Sequence, residues 1–231
     1  MFGSIYGHRW PAGLLLLVLL CFLLLAGCNG GKRTPPPRPP QIIDIDTLLV
    51  LPFNVALERQ QVGAAIRCPI CSTIFVVGPV EPGSEVHMTE KLLSFLKEKT
   101  DYAVIPPSTG EGVRSTILTE SVGTAERDIQ LETARRLGAE AVVSGTIYRF
   151  RERVGARYSA ETPASVAFGM HLMRVADGRL LWTGHYDKTQ QPLSENLFNF
   201  SRFLKDGGSW LKVNELADEG FEEVMTTFPV E

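Results

Sequence analysis

The chain has 231 residues, and its 23 Lys and Arg against 26 Asp and Glu give a formal net charge of −3 at pH 7. No basic block is present, so composition gives nucleic-acid binding little support. An apolar content of 44% is ordinary for a globular protein with a true core, and the length suits one domain with appendages.

The N-terminal segment has the pattern of a secretory signal. Arg9 precedes an apolar run that begins at Leu14 and closes in Leu25-Ala26-Gly27-Cys28. The run is shorter than the roughly 20 apolar residues of a membrane span, and a charged residue followed by a short apolar stretch is typical of a signal peptide. Its end resembles the lipobox of bacterial lipoproteins. The resemblance implies a signal peptide over residues 1–27 and a lipid (diacylglycerol, with palmitate-type acyl chains) on the Cys28 thiol; an uncleaved anchor helix is the alternative.

Residues 28–45 are predicted to be a Gly/Pro-rich tether. The glycines at 30 and 31 give flexibility, and the proline-rich run 35–40 favours a polyproline II helix that rises about 3.1 Å per residue. Asn29 stands where enteric lipoproteins retained at the inner membrane have aspartate. The resemblance therefore implies a lipid-anchored protein of the cell envelope, at the outer membrane and facing the periplasm.

The remaining cysteines form one CxxC pair. Removing residues 1–27 takes Cys21 away and lipid occupies Cys28, which leaves Cys68 and Cys71. In an oxidising compartment this pair is predicted to be a structural disulfide. A metal site and a thiol-disulfide redox pair are the alternatives. A predicted strand, Thr73–Val77, follows the pair in place of the helix N-terminus typical of redox pairs. Histidines that could add to a metal site are His87, His171 and His185.

The body of the protein, residues 46–190, is predicted to be an α/β (α+β) domain. Its order is β-α-β-α-β-β-β, a mixed sheet with two packing helices. The predicted strands are 46–53, 102–105, 141–148, 164–175 and 180–186, and the predicted helices are 84–99 and 124–137. An insertion at about 54–83 carries the CxxC, and 106–123 is predicted to be a polar connection. Residues 191–231 are predicted to be a helical extension with a second helix over 213–228.

Several residues set the predicted boundaries. Ser84 and Thr124 are candidate helix N-caps, Gly138 is a candidate C-cap, and Asp177-Gly178 predicts a hairpin turn. The apolar face of the first helix is predicted to be Val86, Leu92, Leu93 and Leu96. His171 is out of phase with the apolar face of its strand, so it should face solvent or another layer.

Three phrases carry a resemblance to a family. They are Leu49-Val50-Leu51-Pro52-Phe53, Leu137-Gly138-Ala139-Glu140-Ala141-Val142-Val143-Ser144-Gly145-Thr146-Ile147, and Leu172-Met173-Arg174-Val175-Ala176-Asp177-Gly178-Arg179-Leu180-Leu181-Trp182. Their order and spacing over residues 46–187 resemble the periplasmic domain of the CsgG, LpoB and TolB N-domain-like lipoproteins. The resemblance implies that fold, with Gly145 allowing close packing against a helix and Trp182 directed at a neighbouring layer.

No catalytic motif is present: the sequence lacks a nucleotide-binding loop, a GxSxG and an HExxH. We predict no catalytic, cofactor-binding or metal-binding residues, and no enzyme. The predicted function is a lipid-anchored periplasmic interaction module in envelope assembly or secretion. Its predicted partners are the membrane, through the lipid, and unidentified envelope proteins, with a homo-oligomer left open. The alternatives are a thiol-disulfide or metal-handling protein using Cys68 and Cys71, and a CsgG-like channel subunit.

Overall fold

A computed structural model describes residues 45–56, 62–120, 123–156, 159–190 and 211–230 of the chain. The predictions for the signal peptide, for most of the tether and for a helix within 191–210 lie outside these residues. The division into signal peptide, tether, body and extension therefore stays a prediction. Within the described residues, no helix is both long enough and apolar enough to cross a membrane.

The described residues form four helices and ten strands. The helices are α1 (Ser84–Lys99), α2 (Pro107–Glu120), α3 (Glu126–Arg136) and α4 (Val213–Met225). The strands are β1 (Thr47–Val50), β2 (Asn54–Val55), β3 (Ala65–Arg67), β4 (Ile74–Val76), β5 (Ala103–Ile105), β6 (Ala141–Arg151), β7 (Val154–Ala156), β8 (Ser159–Thr162), β9 (Ser165–Arg174) and β10 (Leu180–Thr189).

The main sheet is mixed, as the sequence predicts. Its strand order is β10-β9-β6-β1-β5, and the short β2 also pairs with β6. Strand β1 runs parallel to β5 and β6, whereas β9 is antiparallel to both β6 and β10. The predicted α/β (α+β) fold class and the C-terminal helix of the extension are confirmed.

Helices cover both faces of this sheet. Alternate residues of β1 point to opposite sides: Leu48 and Val50 join a core with α1 and α4, whereas Leu49 joins a second core with α3. Burial on both faces explains why β1 is continuously apolar in sequence. A third, smaller cluster lies under the β3–β4 hairpin and packs on Tyr148 and Ala167 of the sheet.

The predicted polar connection 106–123 contains a helix, α2, so this interpretation was wrong. The helix buries only Gly110 and Ile117 of its fourteen residues. Its sequence therefore shows no broad apolar stripe. Gly110 lets the helix approach β1 closely, since a Cβ there would lie 3.2 Å from a methyl of Leu49.

The structure also corrects the predicted N-caps of two helices and the predicted apolar face of α1. Gly83, with φ 83°, is the N-cap of α1, and Ser84 is the first helical residue. Ala125, not Thr124, precedes α3 as its N-cap. Val86 is 54% exposed, so it is not part of the core face of α1. That face is Met88, Leu92 and Leu96, at intervals of four residues.

The predicted turn glycines are confirmed. Gly138 follows the last turn of α3 with φ 71°, and Gly178 has φ 68° in the connection between β9 and β10. Both angles lie in the left-handed region, where glycine has no Cβ penalty. Trp182, on β10, packs edge to face on Phe228 beyond α4, with ring centroids 4.9 Å apart.

Candidate functional site

The two cysteines of the CxxC lie in the loop of a small antiparallel hairpin. We call residues 64–77, with strands β3 and β4, the cysteine hairpin. Its loop is closed by two backbone hydrogen bonds: Cys68 N–H donates to the Thr73 carbonyl at 2.8 Å, and Ser72 N–H donates to the Cys68 carbonyl at 3.0 Å. Ser72 has φ 66°, and no other described non-glycine residue has a positive φ.

A β-bulge in the main sheet holds this hairpin in place. The β6–β9 register passes from Ile147 opposite Phe168 to Arg149 opposite Ala167, so Tyr148 is an extra residue. Tyr148 stacks on Phe75 of β4, with ring centroids 4.0 Å apart and planes 7° apart. A bulge re-aims side chains next to it, and here it aligns an aromatic ring with the hairpin.

Arg149, directly after the bulge, fixes the end of β4. Its guanidinium donates to the Val76 carbonyl at 2.7 Å and to the Ser165 hydroxyl at 2.6 Å, and it also pairs with the Asp187 carboxylate. Gly78 makes room for this side chain, since a Cβ there would lie 2.5 Å from Cγ of Arg149. The hairpin is thus tied to β6 by one ring stack and one charge-assisted hydrogen bond.

His171 of β9 comes up beneath the hairpin loop. Along β9, Phe168, Met170 and Leu172 belong to the core with α1 and α4. His171 is on the opposite face and is fully buried. Its Nε2 lies 3.4 Å from Sγ of Cys68, whereas no described residue forms a hydrogen bond with its buried Nδ1.

Cys71 completes a cluster of three ligand-type side chains. One ligand atom from each of Cys68, Cys71 and His171 lies within 4.8 Å of the other two. Cys68 is 1% exposed, whereas Cys71 is half-buried, and its thiol donates to the Thr73 hydroxyl at 3.3 Å. The cluster is therefore closed on the His171 side and reachable from the Cys71 side.

The surroundings of the cluster disfavour charge on its titratable neighbours. Burial lowers the pKa of His171, and the Cys71 thiol offsets this only in part. Burial also raises the pKa of Tyr148 well above its usual range, with a further contribution from Cys68. In a low-dielectric pocket, neutral imidazole and neutral phenol are the favoured forms. A neutral imidazole is the form that binds metals.

The structure places the other sequence-predicted residues elsewhere. Cys28 lies outside the described residues, so its lipidation stays a prediction. His87 is 2.9 Å from the Asp218 carboxylate of α4, and His185 is exposed on β10. Cys68 and Cys71 are free thiols here, not the predicted disulfide, and their pairing in the oxidised protein stays a prediction.

Sequence alone offers His171 as a ligand on the same terms as His87 and His185. A signal was present, because His171 occurs out of phase in an apolar strand and is therefore directed at a different layer. The sequence does not show that this layer is the cysteine hairpin. That contact depends on the register of β6 and β9 and on the bulge at Tyr148.

No family model matches the chain, and no curated protein is significantly similar to it in sequence. Similar folds occur among solved structures. The PelC dodecamer of Paraburkholderia phytofirmans is 14% identical, with 81% of this chain and 90% of that chain covered and a TM-score of 0.41. The LpoB C-terminal domain of Salmonella enterica is 15% identical, with coverages of 65% and 87% and a TM-score of 0.37.

Lipoprotein GNA1162 of Neisseria meningitidis is also similar to this chain. It is 15% identical, with 70% of this chain and 97% of that chain covered and a TM-score of 0.38. Likenesses this distant assign no function to the present chain. What its own residues define is a mixed α/β domain with a largely buried Cys-Cys-His cluster between the cysteine hairpin and β9 of the main sheet.

Proposed function

We propose that this chain is a lipid-anchored protein of the bacterial cell envelope that works by protein contact and not by catalysis. Its α/β domain is held by the tether at the outer membrane, on the periplasmic side. Its role is in envelope assembly or secretion, where a tethered domain meets other envelope proteins or further copies of itself.

The observation that carries this proposal is the sequence Leu25-Ala26-Gly27-Cys28 at the end of an apolar run. Small residues before the cysteine suit a signal peptidase, and the thiol supplies the nucleophile for the lipid. The first strand of the domain, β1, begins at Thr47. The glycine- and proline-rich stretch between Cys28 and β1 suits a spacer, because a polyproline II segment resists collapse onto the membrane.

Lipidation is tested by labelling cells with a radioactive fatty acid and isolating the chain. The wild-type chain should carry label and fractionate with membranes, and Cys28→Ala should lose both properties. Cys21→Ala is the matched control, because it removes a thiol seven positions earlier, within the predicted signal peptide, and should keep the label. Equal labelling of wild type and Cys28→Ala would overturn the anchor.

Contact is tested by crosslinking in cells from defined surface positions. Ile74 on the cysteine hairpin is 58% exposed and Val86 on α1 is 54% exposed, and the two elements lie on opposite faces of the sheet. A photoreactive residue at each position reports contacts from both faces. Discrete adducts that require an intact Cys28 support the proposal. A chain that stays uncrosslinked from both positions, while anchored and folded, contradicts it.

A further inference from the structure

We propose that Cys68, Cys71 and His171 form a binding site for Zn²⁺ in the reduced protein, with a fourth coordination position open towards solvent. This proposal departs from the sequence prediction that the chain has no metal ligands. It is independent of the lipid anchor, since all three residues belong to the folded domain.

The distances already fit tetrahedral coordination. With Zn–S near 2.3 Å and Zn–N near 2.0 Å, tetrahedral geometry separates a sulfur and a nitrogen ligand by about 3.5 Å and two sulfurs by about 3.8 Å. Cys68 Sγ and His171 Nε2 are 3.4 Å apart, and the three ligand atoms lie within 4.8 Å of one another. Small rotations of the side chains therefore suffice to enclose an ion.

The burial of His171 points independently to a ligand. Its imidazole is fully buried, and its Nδ1 has no hydrogen-bond partner among the described residues. Among the described residues its Nε2 lies against the Cys68 thiol, and a thiol is a weak hydrogen-bonding group. A buried imidazole nitrogen whose partner is this weak is suited to bind a metal ion, and the ion would bind Nε2, whereas Nδ1 takes no part in the site.

The turn of the cysteine hairpin supplies a second independent observation. Ser72, immediately after Cys71, has φ 66°, a left-handed conformation that residues with a side chain rarely adopt. This residue closes the loop so that the Cys68 and Cys71 sulfurs lie together above His171. Backbone strain of this kind concentrates at ligand clamps, and here it falls on the residue whose N–H closes the loop between the two cysteines.

Charge balance favours Zn²⁺ over a monovalent thiophilic ion such as Cu⁺. Two thiolates and a neutral imidazole give a neutral complex with a divalent ion and leave one negative charge with a monovalent ion. Uncompensated charge is costly in a site whose Cys68 and His171 are both buried. The half-buried Cys71 leaves one side open for the fourth ligand that tetrahedral zinc requires.

Binding converts two thiols to thiolates and releases two protons to solvent, with no change in oxidation state. The predicted Cys68–Cys71 disulfide and the zinc site are thus alternative states of the same sulfurs. A bonded pair offers no thiolate to a metal. Thiol–disulfide exchange with an external disulfide would join the two sulfurs, reduce that disulfide to two thiols and release the ion, and exchange with an external dithiol, which is itself oxidised to a disulfide, would restore the site.

The test uses the unprocessed full chain, in which Cys21 and Cys28 are still free thiols. The chain is kept in detergent, reduced and stripped of metal with a chelator, and then titrated with Zn²⁺. We expect one Zn²⁺ bound per chain. Alkylation followed by peptide mapping should show that Zn²⁺ protects Cys68 and Cys71, whereas Cys21 and Cys28 stay reactive. With Co²⁺ as a spectroscopic probe, sulfur-to-metal charge-transfer absorption should appear and should fall in Cys71→Ser.

Matched variants identify the third ligand. His171→Gln should weaken Zn²⁺ binding by at least about 100-fold, whereas His185→Gln, on an exposed histidine of β10, should leave it unchanged. If His171→Gln fails to fold, the proposal is judged on whether Zn²⁺ protects Cys68 and Cys71 from alkylation in the wild-type chain. Absence of stoichiometric binding to the reduced, folded chain overturns the site. So does binding that survives His171→Gln, or protection confined to Cys21 and Cys28.

Discussion

The thiol of Cys68 lies 3.4 Å from Nε2 of His171, although 103 positions separate the two residues in the chain. This contact joins the cysteine hairpin to β9 of the main sheet. It brings the only histidine of β9 beneath the CxxC pair. Because His171 belongs to another layer of the fold, the chemistry of the cysteine pair depends on more than its own hairpin.

The two thiols should react at very different rates. In reduced, metal-free protein, Cys71 should be alkylated first, because it is half-buried, whereas Cys68 is 1% exposed. Cys68 should react only when the hairpin opens, since buried thiols are inert. Timed alkylation with peptide mapping checks this order. Equal rates would show that the loop does not shield Cys68.

Arg149→Met should loosen the cysteine hairpin. It removes the hydrogen bonds to the Val76 carbonyl and the Ser165 hydroxyl and the ion pair with Asp187. We expect a loss of about 2 kcal/mol or more in the free energy of unfolding, because the buried Ser165 hydroxyl and the Val76 carbonyl lose a charged donor. Faster alkylation of Cys68 should accompany the loss.

The control for this change is Arg135→Met. Arg135 is 56% exposed and pairs with Glu132 on the surface of α3. A surface ion pair contributes about 0–1 kcal/mol, so the control should change the unfolding free energy little. Chemical denaturation measures both variants. A similar small effect for Arg149→Met would mean that the hairpin is held by other contacts.

Adding one methyl group should have opposite effects at two glycines. A Cβ at Gly145 would lie 2.3 Å from the ring of Phe53, so Gly145→Ala should cost about 2–3 kcal/mol through overpacking. Gly112 lies in α2 with nothing within 4 Å of an added Cβ, and Gly112→Ala should stabilise by about 0.5–1 kcal/mol. Thermal unfolding measures both.

A double change checks the cause of the Gly145 effect. Phe53→Leu removes the ring that the new methyl group would meet, so its combination with Gly145→Ala should be less destabilising than the sum of the two single changes. If the two losses of stability are simply additive, contact between the new methyl group and the Phe53 ring is not the cause of the Gly145→Ala effect. Close packing at Gly145 thus makes room for Phe53, which follows β1. The prediction that Gly145 packs closely against a helix was wrong.

Acid should weaken the hydrogen bonds between the start of β1 and the turn that leads into β6. Glu140 accepts hydrogen bonds from the backbone N–H groups of Asp46 at 2.6 Å and Thr47 at 3.1 Å, and these lower the pKa of its carboxyl below the usual value. A carboxylate with a lowered folded-state pKa stabilises fully above its unfolded-state pKa. That contribution is lost as pH falls through the folded-state pKa.

The measurement is the free energy of unfolding of Glu140→Gln and wild type between pH 7 and pH 3. The difference between the two should be largest at neutral pH and should shrink towards acid, because protonation removes the same interaction from wild type. Glu98→Gln, at an exposed position of α1, is the control and should run parallel to wild type. A constant difference would exclude the carboxylate as the cause.

The sequence alone determined the elements whose patterns are local. The continuous apolar run at β1, the left-handed glycine after α3 and the alternation along β9 each predict the structure found there, because their physical causes act within a few residues. Helix α2 escaped prediction because only Gly110 and Ile117 of its residues are buried. A polar helix that buries so few residues shows little periodicity of apolar residues in its sequence.

The proposed lipid anchor at Cys28 also comes from sequence alone, since a peptidase and a lipid transferase read a short linear motif. The Cys-Cys-His cluster does not. The spacing of Cys68 and Cys71 shows a pair but not its third member, which depends on strand register, on the bulge at Tyr148 and on the hairpin folding back over β9. Only tertiary structure decides such a contact, because it joins residues whose separation in the chain carries no information about their distance in space.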